Sequence, residues 1–217
     1  MKLSEIFGWL PTLLSGLKIT LLLTVGATFV ACPAALAAGL ARLSSNPFFY
    51  GPSACYIEVF RGTSALVQLF WFYFVLPHFG WQMDALTVGI LVLGLNIGAY
   101  GAEVVRGAVQ SVPKEQYEAA KALNFRKLQT MTKIILPQAF VAILPPAGNL
   151  LIELLKTTAL VSMITLTELT FKGQMLRAST LKSTEIFGII LILYFLLALS
   201  ITFGVRKLER RYSYVKD

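Results

Sequence analysis

The chain has 217 residues, 56% of them hydrophobic and only 14% charged, with a mean hydropathy of +0.71. A soluble domain carries about 25% charged residues, so the composition excludes one and specifies a single integral membrane domain over residues 1–217. The net charge of +8 then reports cytoplasmic loops and not a nucleic-acid surface, and one histidine, His78, excludes a histidine-built metal site and most hydrolytic constellations.

In chain order, Met1 to Lys18 is weakly amphipathic, with Phe7, Trp9 and Leu10 suited to an interfacial anchor. A cleaved signal peptide is rejected because the apolar run that follows is too long. Ile19 to Ala41 is free of charge for 23 residues, and a spanning helix needs about 20. Arg42 to Pro52 reads as a loop with turn residues. A second span is expected from about Ser53 to Leu76; Glu58 and Arg61 lie three apart near its start, on one helix face, where they can pair. After a short turn, Pro77 to Asp84, a third span from Ala85 to Gly107 ends on the same spacing, Glu103 and Arg106.

Ile134 to Ile152 is again uncharged, followed by Glu153, Lys156, Thr157 and Thr158 and a second apolar piece, Ala159 to Thr167. That is too long for one straight span. Pro145, Pro146 and Gly148 argue for one crossing in two pieces, broken at the proline pair or at Lys156. Phe171 to Thr184 reads as a polar loop, Ile186 to Val205 as the last span, and a basic tail follows from Arg206. Cys32 and Cys55 sit in or beside apolar runs, as fillers and not as a disulfide. Five spans put the two ends on opposite sides. With the N-terminus outside, inner segments hold 12 Lys or Arg (Arg42, Arg106, five in the polar loop, five at the C-terminus) against five outside (Lys2, Lys18, Lys172, Arg177, Lys182). The positive-inside rule therefore predicts N-terminus out and C-terminus in.

The long polar segment between the hydrophobic runs is Ser111 to Pro137. Pro113 suits a first helical turn. Tyr117, Ala120 and Leu123 recur at helical spacing, as do Leu128, Met131, Ile134 and Ile135. Asn124 between them tolerates a left-handed backbone, so one helix can end there, and Pro137 is expected to stop the second. This is a basic two-helix loop on the predicted inner side, suited to docking a cytoplasmic partner. A plain amphipathic surface helix is the other reading of the same pattern.

Glu118-Ala119-Ala120, three residues, Asn124, nine residues and Ile134-Ile135-Leu136-Pro137 resemble the EAA loop of ABC-importer permeases. The likeness extends to Glu58-Val59-Phe60-Arg61-Gly62-Thr63 with Gln68-Leu69, to Glu103-Val104-Val105-Arg106-Gly107, to Val112-Pro113-Lys114 with Gln116, and to Lys156-Thr157-Thr158-Ala159-Leu160-Val161-Ser162. Asn124 and Glu115 replace glycines of that pattern, and Ser64 a proline. The set resembles the polar amino-acid branch (histidine, glutamine, arginine type). The resemblance implies an all-α type I permease of about five transmembrane helices in a bacterial inner membrane. It further implies a pore-forming subunit that is not itself an enzyme and needs no cofactor, with a second permease subunit, separate ATP-binding subunits and an extracytoplasmic solute-binding protein. Leu154 to Ser162, Phe171 and Asn124 also resemble permeases for ectoine-type solutes.

No phosphate-cradling G-x-x-x-x-G-K-[ST] is present, so ATP hydrolysis by that route would fall to a partner. The polar residues inside spans are the candidates for function, since charge in hydrocarbon is costly. Glu58 with Arg61 and Glu103 with Arg106 read as intramembrane ion pairs. Lys156, Thr157 and Thr158, with Asn149 and Glu153 on the same helix, read as substrate path, snorkelling of Lys156 being the alternative. Gln68 suits an interhelical hydrogen bond, and Trp71, Phe72 and Tyr73 an aromatic belt. The rival functions are half of an ion-coupled secondary transporter and a membrane-anchored assembly protein. The loop discriminates: an ion-coupled carrier has no need of Glu118-Ala119-Ala120 with its hinge and Pro137.

Overall fold

A computed structural model describes residues 3–212, with side chains from residue 8 onward. Lys2, Lys216 and the Phe7 side chain fall outside the described residues. Every regular element among the described residues is helical. Four helices are long and apolar enough to cross a membrane, and a bent helix pair brings the number to five.

Helix α1, Leu3–Ala41, is one element of 39 residues. The N-terminal stretch expected as a separate interfacial segment continues the first span, because Trp9 and Leu13 are buried against Leu169 and Ile186 at one end of the bundle. At about 1.5 Å per residue α1 is about 58 Å long, well beyond a hydrocarbon core of about 30 Å. It packs along α4, Ala85–Gln110. Small residues permit the contact. A Cβ on Gly94 would lie 2.9 Å from the Ala27 carbonyl oxygen, and one on Gly39 would lie 2.7 Å from the Ala102 carbonyl oxygen. Helix association in lipid relies on such close backbone approach, since no hydrophobic drive separates helix from lipid tail.

The expected second span is not one helix. α2 runs Pro47–Gly62, started by Asn46, whose side chain accepts from Phe48 N at 3.0 Å; the loop before it therefore shrinks to residues 42–46. The chain then bends by 104° into a stretch from Ala65 to Phe79. That stretch comprises α3, Ala65–Phe70, a π turn over Trp71–Val75 and a 3-10 turn over Leu76–Phe79. Thr63 and Ser64 are extended, which frees carbonyls at the corner. Gln68 Nε2 donates to Phe60 O at 3.0 Å and to Thr63 Oγ1 at 2.7 Å, while Asn96 Nδ2 of α4 donates to Phe60 O at 2.9 Å and to Gln68 Oε1 at 3.1 Å. A broken span survives at membrane depth only where protein groups take over such bonds.

After α4 come α5, Lys114–Ala122, α6, Lys127–Thr130, a second π turn over Met131–Ile135, and α7, Leu136–Thr157. Pro145 and Pro146 lie inside α7 without ending it. Of the two expected break positions the one beside Lys156 is used, where the helix tightens to a 3-10 turn over Thr158–Ile164. The hydroxyls of Thr157 and Thr158 donate three residues back, to Leu154 O at 2.9 Å and Leu155 O at 2.7 Å, in register with that tightening. Where a polar loop was expected stands α8, Leu169–Thr180, capped by Glu168; α9, Ser183–Tyr212, closes the fold. Tyr212 meets Phe140 with ring centroids 5.5 Å apart, so α9 ends beside the root of α7. Cys32 and Cys55 are unpaired thiols.

Candidate functional site: the coupling loop and the polar face of α7

Residues 111–137 form a two-helix platform at the end of the bundle where α4 stops and α7 begins. Helix α5 ends by the αL route: Asn124 has φ 57°, Phe125 N bonds Ala120 O at 3.0 Å, and Asn124 N bonds Lys121 O at 3.0 Å. Those two bonds close the last turn around a left-handed residue, which is the role glycine usually takes. Across the turn, Gln129 Oε1 accepts from Arg126 N at 3.0 Å and starts α6. Ala120 is 2% exposed, and Tyr117 packs on the cluster of Val109, Val112, Ile135 and Ala139. Glu118 and Ala119 face outward.

Two corrections concern this platform. Leu123 and Leu128, expected on the inward apolar faces, are 71% and 75% exposed. The hinge turns both away from the bundle, where Lys121, Arg126 and Lys127 surround them in sequence on exposed positions. Pro137 does not stop a helix. It sits in the first turn of α7, directly after the π turn, and the helix runs through.

The polar groups on the spans divide into two kinds. Asn149, Glu153 and Lys156 are exposed at spacings of four and three, a single stripe along α7. Thr158 leaves that set: it is 0% exposed and its hydroxyl is bound inward, and Thr157 is half-buried with its hydroxyl tied to the backbone. Glu58 and Arg61 do not pair with each other. Glu58 meets Arg42 at 3.4 Å with 73% of its side chain exposed, and the Arg61 guanidinium lies over the Tyr100 ring at 5.2 Å. Glu103 and Arg106 do pair, at 2.7 Å, and Arg106 also donates to Gln110 at 2.9 Å.

Two buried polar sites escaped the sequence reading. One is Asn96, whose signal was an asparagine in the middle of an apolar span. The other is Glu168, 0% exposed at the N-terminus of α8. Its carboxylate accepts from Phe171 N at 2.7 Å, Thr170 N at 2.9 Å and the Tyr194 hydroxyl at 3.1 Å, with Thr20 Oγ1 at 3.5 Å. Burial pushes its pKa above the ordinary carboxylate range, and the bonds from Thr170, Phe171 and Tyr194 pull it back. It ties α1, α8 and α9 together. Among the described residues no group of His, Cys, Asp and Glu is placed to hold a metal ion.

Residues 31–214 match the family described as binding-protein-dependent transport system inner membrane component. The chain belongs to this family. The permease is 46% identical over 200 residues to the probable amino-acid ABC transporter permease protein y4tF of Sinorhizobium fredii, covering 89% of this chain and 84% of that one. It is 36% identical over 210 residues to the glutamine transport system permease protein GlnP of Escherichia coli, with 96% of each chain covered. The crystal structure of an amino acid ABC transporter with histidines contains a chain that superposes with a TM-score of 0.90 at 35% identity, over 97% of this chain and 99% of that one. An inward-facing methionine ABC transporter, at 20% identity and a TM-score of 0.82 over 98% and 99% of the two chains, shares the fold. The type I permease architecture expected from the motifs therefore holds, and the ion-coupled carrier is set aside.

Proposed function

We propose that this permease is one of two membrane subunits, identical or homologous, of an ATP-driven importer for polar amino acids or related small zwitterionic solutes. In this reading Glu118, Ala119, Ala120, Asn124 and the exposed Leu123 and Leu128 dock an ATP-binding subunit. Asn149, Glu153 and Lys156 line the translocation path. An extracytoplasmic solute-binding protein delivers substrate from the opposite side. The excess of Lys and Arg on inner segments supports an inner-membrane orientation with the N-terminus outside and the 111–137 loop and C-terminus in the cytoplasm.

One observation carries the reading. Glu153 and Lys156 stand exposed on a helix that must cross the bilayer. A charge at the centre of a span costs roughly 2.5–3.5 kcal/mol on insertion scales, so a face holding two of them has to meet protein or water instead of lipid. A second permease subunit covers that face and leaves a path beside it. One stripe with an ammonium and a carboxylate also suits a solute carrying both charges.

The test is uptake into proteoliposomes holding the assembled complex and internal ATP, with the solute-binding protein supplied outside. Uptake of glutamine, arginine or histidine should require ATP and survive collapse of ion gradients. Lys156→Met should lower uptake at least tenfold while resting ATPase activity stays within twofold. Uptake by Lys156→Met at the wild-type rate would remove the stripe from the path.

A further inference from the structure

We infer that Gln138 is the positioning residue through which α5 steers α7, at a π turn that Pro137 enforces. This rests on the proposed role of the 111–137 loop as the ATPase dock. The geometry begins with Pro137. It has no N–H to give, and in a regular α-helix its ring would strike the carbonyl four residues back. The chain widens instead: Leu136 N donates to Met131 O, five residues earlier. Such turns carry one extra residue and concentrate at working points of helices.

Gln138 follows at once. Its Nε2 donates to Ile134 O at 3.0 Å, closing the widened turn from the side, and to Gln116 Oε1 of α5 at 3.4 Å. Among the described residues this is the only side-chain hydrogen bond between α5 and α7. Tyr117, next to Gln116, gives its hydroxyl to Val109 O of α4 at 3.4 Å. Thus Gln116 bonds α7, while Tyr117 bonds α4 and packs on residues of both.

Beyond Gln138, α7 is unbroken to Thr157 and carries Asn149, Glu153 and Lys156. The rise from Gln138 to Lys156 is about 27 Å at about 1.5 Å per residue. A displacement of α5 therefore enters α7 at its root and reaches the stripe along a helix that stays continuous through Pro145 and Pro146. Pro137 fixes the rotation as well. If the π turn relaxed to α-helix, loss of the extra residue would turn α7 by about 100° and carry the stripe to another face. Gln138 sets where α7 stands along its axis, and Pro137 sets which way it looks.

The experiment measures solute imported per ATP hydrolysed by the assembled complex in proteoliposomes. Gln138→Glu keeps size and polarity at a half-buried position but can donate to neither oxygen. It should lower the ratio at least fivefold, with basal ATPase activity and subunit stoichiometry within twofold of wild type. Gln138→Met should do the same. Adding Gln116→Lys to Gln138→Glu replaces the hydrogen bond by an ion pair and should restore the ratio to within twofold. A wild-type ratio in both single variants, or a double variant no better than Gln138→Glu alone, overturns the inference. Loss of bound ATPase subunits from Glu118→Lys tests the docking role separately. If Glu118→Lys retains them, the docking role has failed and the inference goes with it; a wild-type ratio in both Gln138 variants while Glu118→Lys releases the ATPase subunits overturns the joint alone.

Discussion

Replacing Glu168 should loosen one end of the bundle selectively. Glu168→Ala removes the acceptor for Phe171 N and Thr170 N and one partner of the Tyr194 hydroxyl. Losing a helix cap costs about 1 kcal/mol. Each buried donor left without a partner costs about 1–3 kcal/mol. Tyr194 keeps its bond to Thr170 Oγ1 at 3.2 Å, and Thr20 keeps Gly16 O at 3.3 Å and Leu169 N at 3.2 Å, so the orphaned groups are chiefly the two backbone amides. The cap consists of these same two bonds, so the terms are not added, and the two orphaned amides make the expected loss roughly 2–6 kcal/mol. For a chain of this size a kcal/mol moves the melting temperature by about 2–4 °C, so Glu168→Ala should melt roughly 4–24 °C below wild type. Glu168→Gln retains an acceptor oxygen for one amide and should lose about half as much. Thiol-reactive dye unfolding in detergent reads both. Glu168→Ala melting within about 2 °C of wild type would show that water enters this corner and that the network does not hold α1, α8 and α9 together.

Three further outcomes are expected. Asn124→Val forces a β-branched residue to φ 57° and should weaken stimulation of ATPase activity by substrate-loaded binding protein, whereas Asn124→Gly should match wild type. In a background with Cys32 and Cys55 replaced by alanine, Lys156→Cys should react with small water-soluble thiol reagents and be shielded by substrate; Thr158→Cys should stay inert, because that position is fully buried. Gly173→Ala drives a methyl into Ile190 Cδ1 and should lower the melting temperature by an amount matching about 1–3 kcal/mol of overpacking, relieved by Ile190→Val, which removes that carbon.

The spans of α1, α4 and α9 were legible because an uncharged run of about 20 residues has few other uses. Asn124 was legible for a similar reason, since few residues accept a left-handed backbone. The corner at Thr63 was not. Its cause is a pair of amides, Gln68 and Asn96, that meet across 28 positions, and no local pattern reports such a meeting. Helix α8 hid for the reverse reason: its polar surface resembles a loop, and only burial of Glu168 by distant Thr20 and Tyr194 makes a capped helix of it. The proline pair in α7 misled because interior proline disfavours a helix locally, and here the helix runs through both. The expected Glu58–Arg61 pair failed because Arg42 and Tyr100, remote in sequence, compete for the two charges.

The contact between α1 and α4 bears on how the permease can move. With no room for even a Cβ at Gly94 or Gly39, these two helices are seated as closely as glycine allows. They behave as a stator. Motion is left to segments whose backbone is already irregular: the corner at Thr63 and Ser64, the π turns at Trp71–Val75 and Met131–Ile135, and the 3-10 turn after Thr157. These joints border α2, α3 and α7, the segments that carry Glu58, Glu153 and Lys156. A bulky residue at Gly94 would therefore disturb assembly long before it touched the transport cycle.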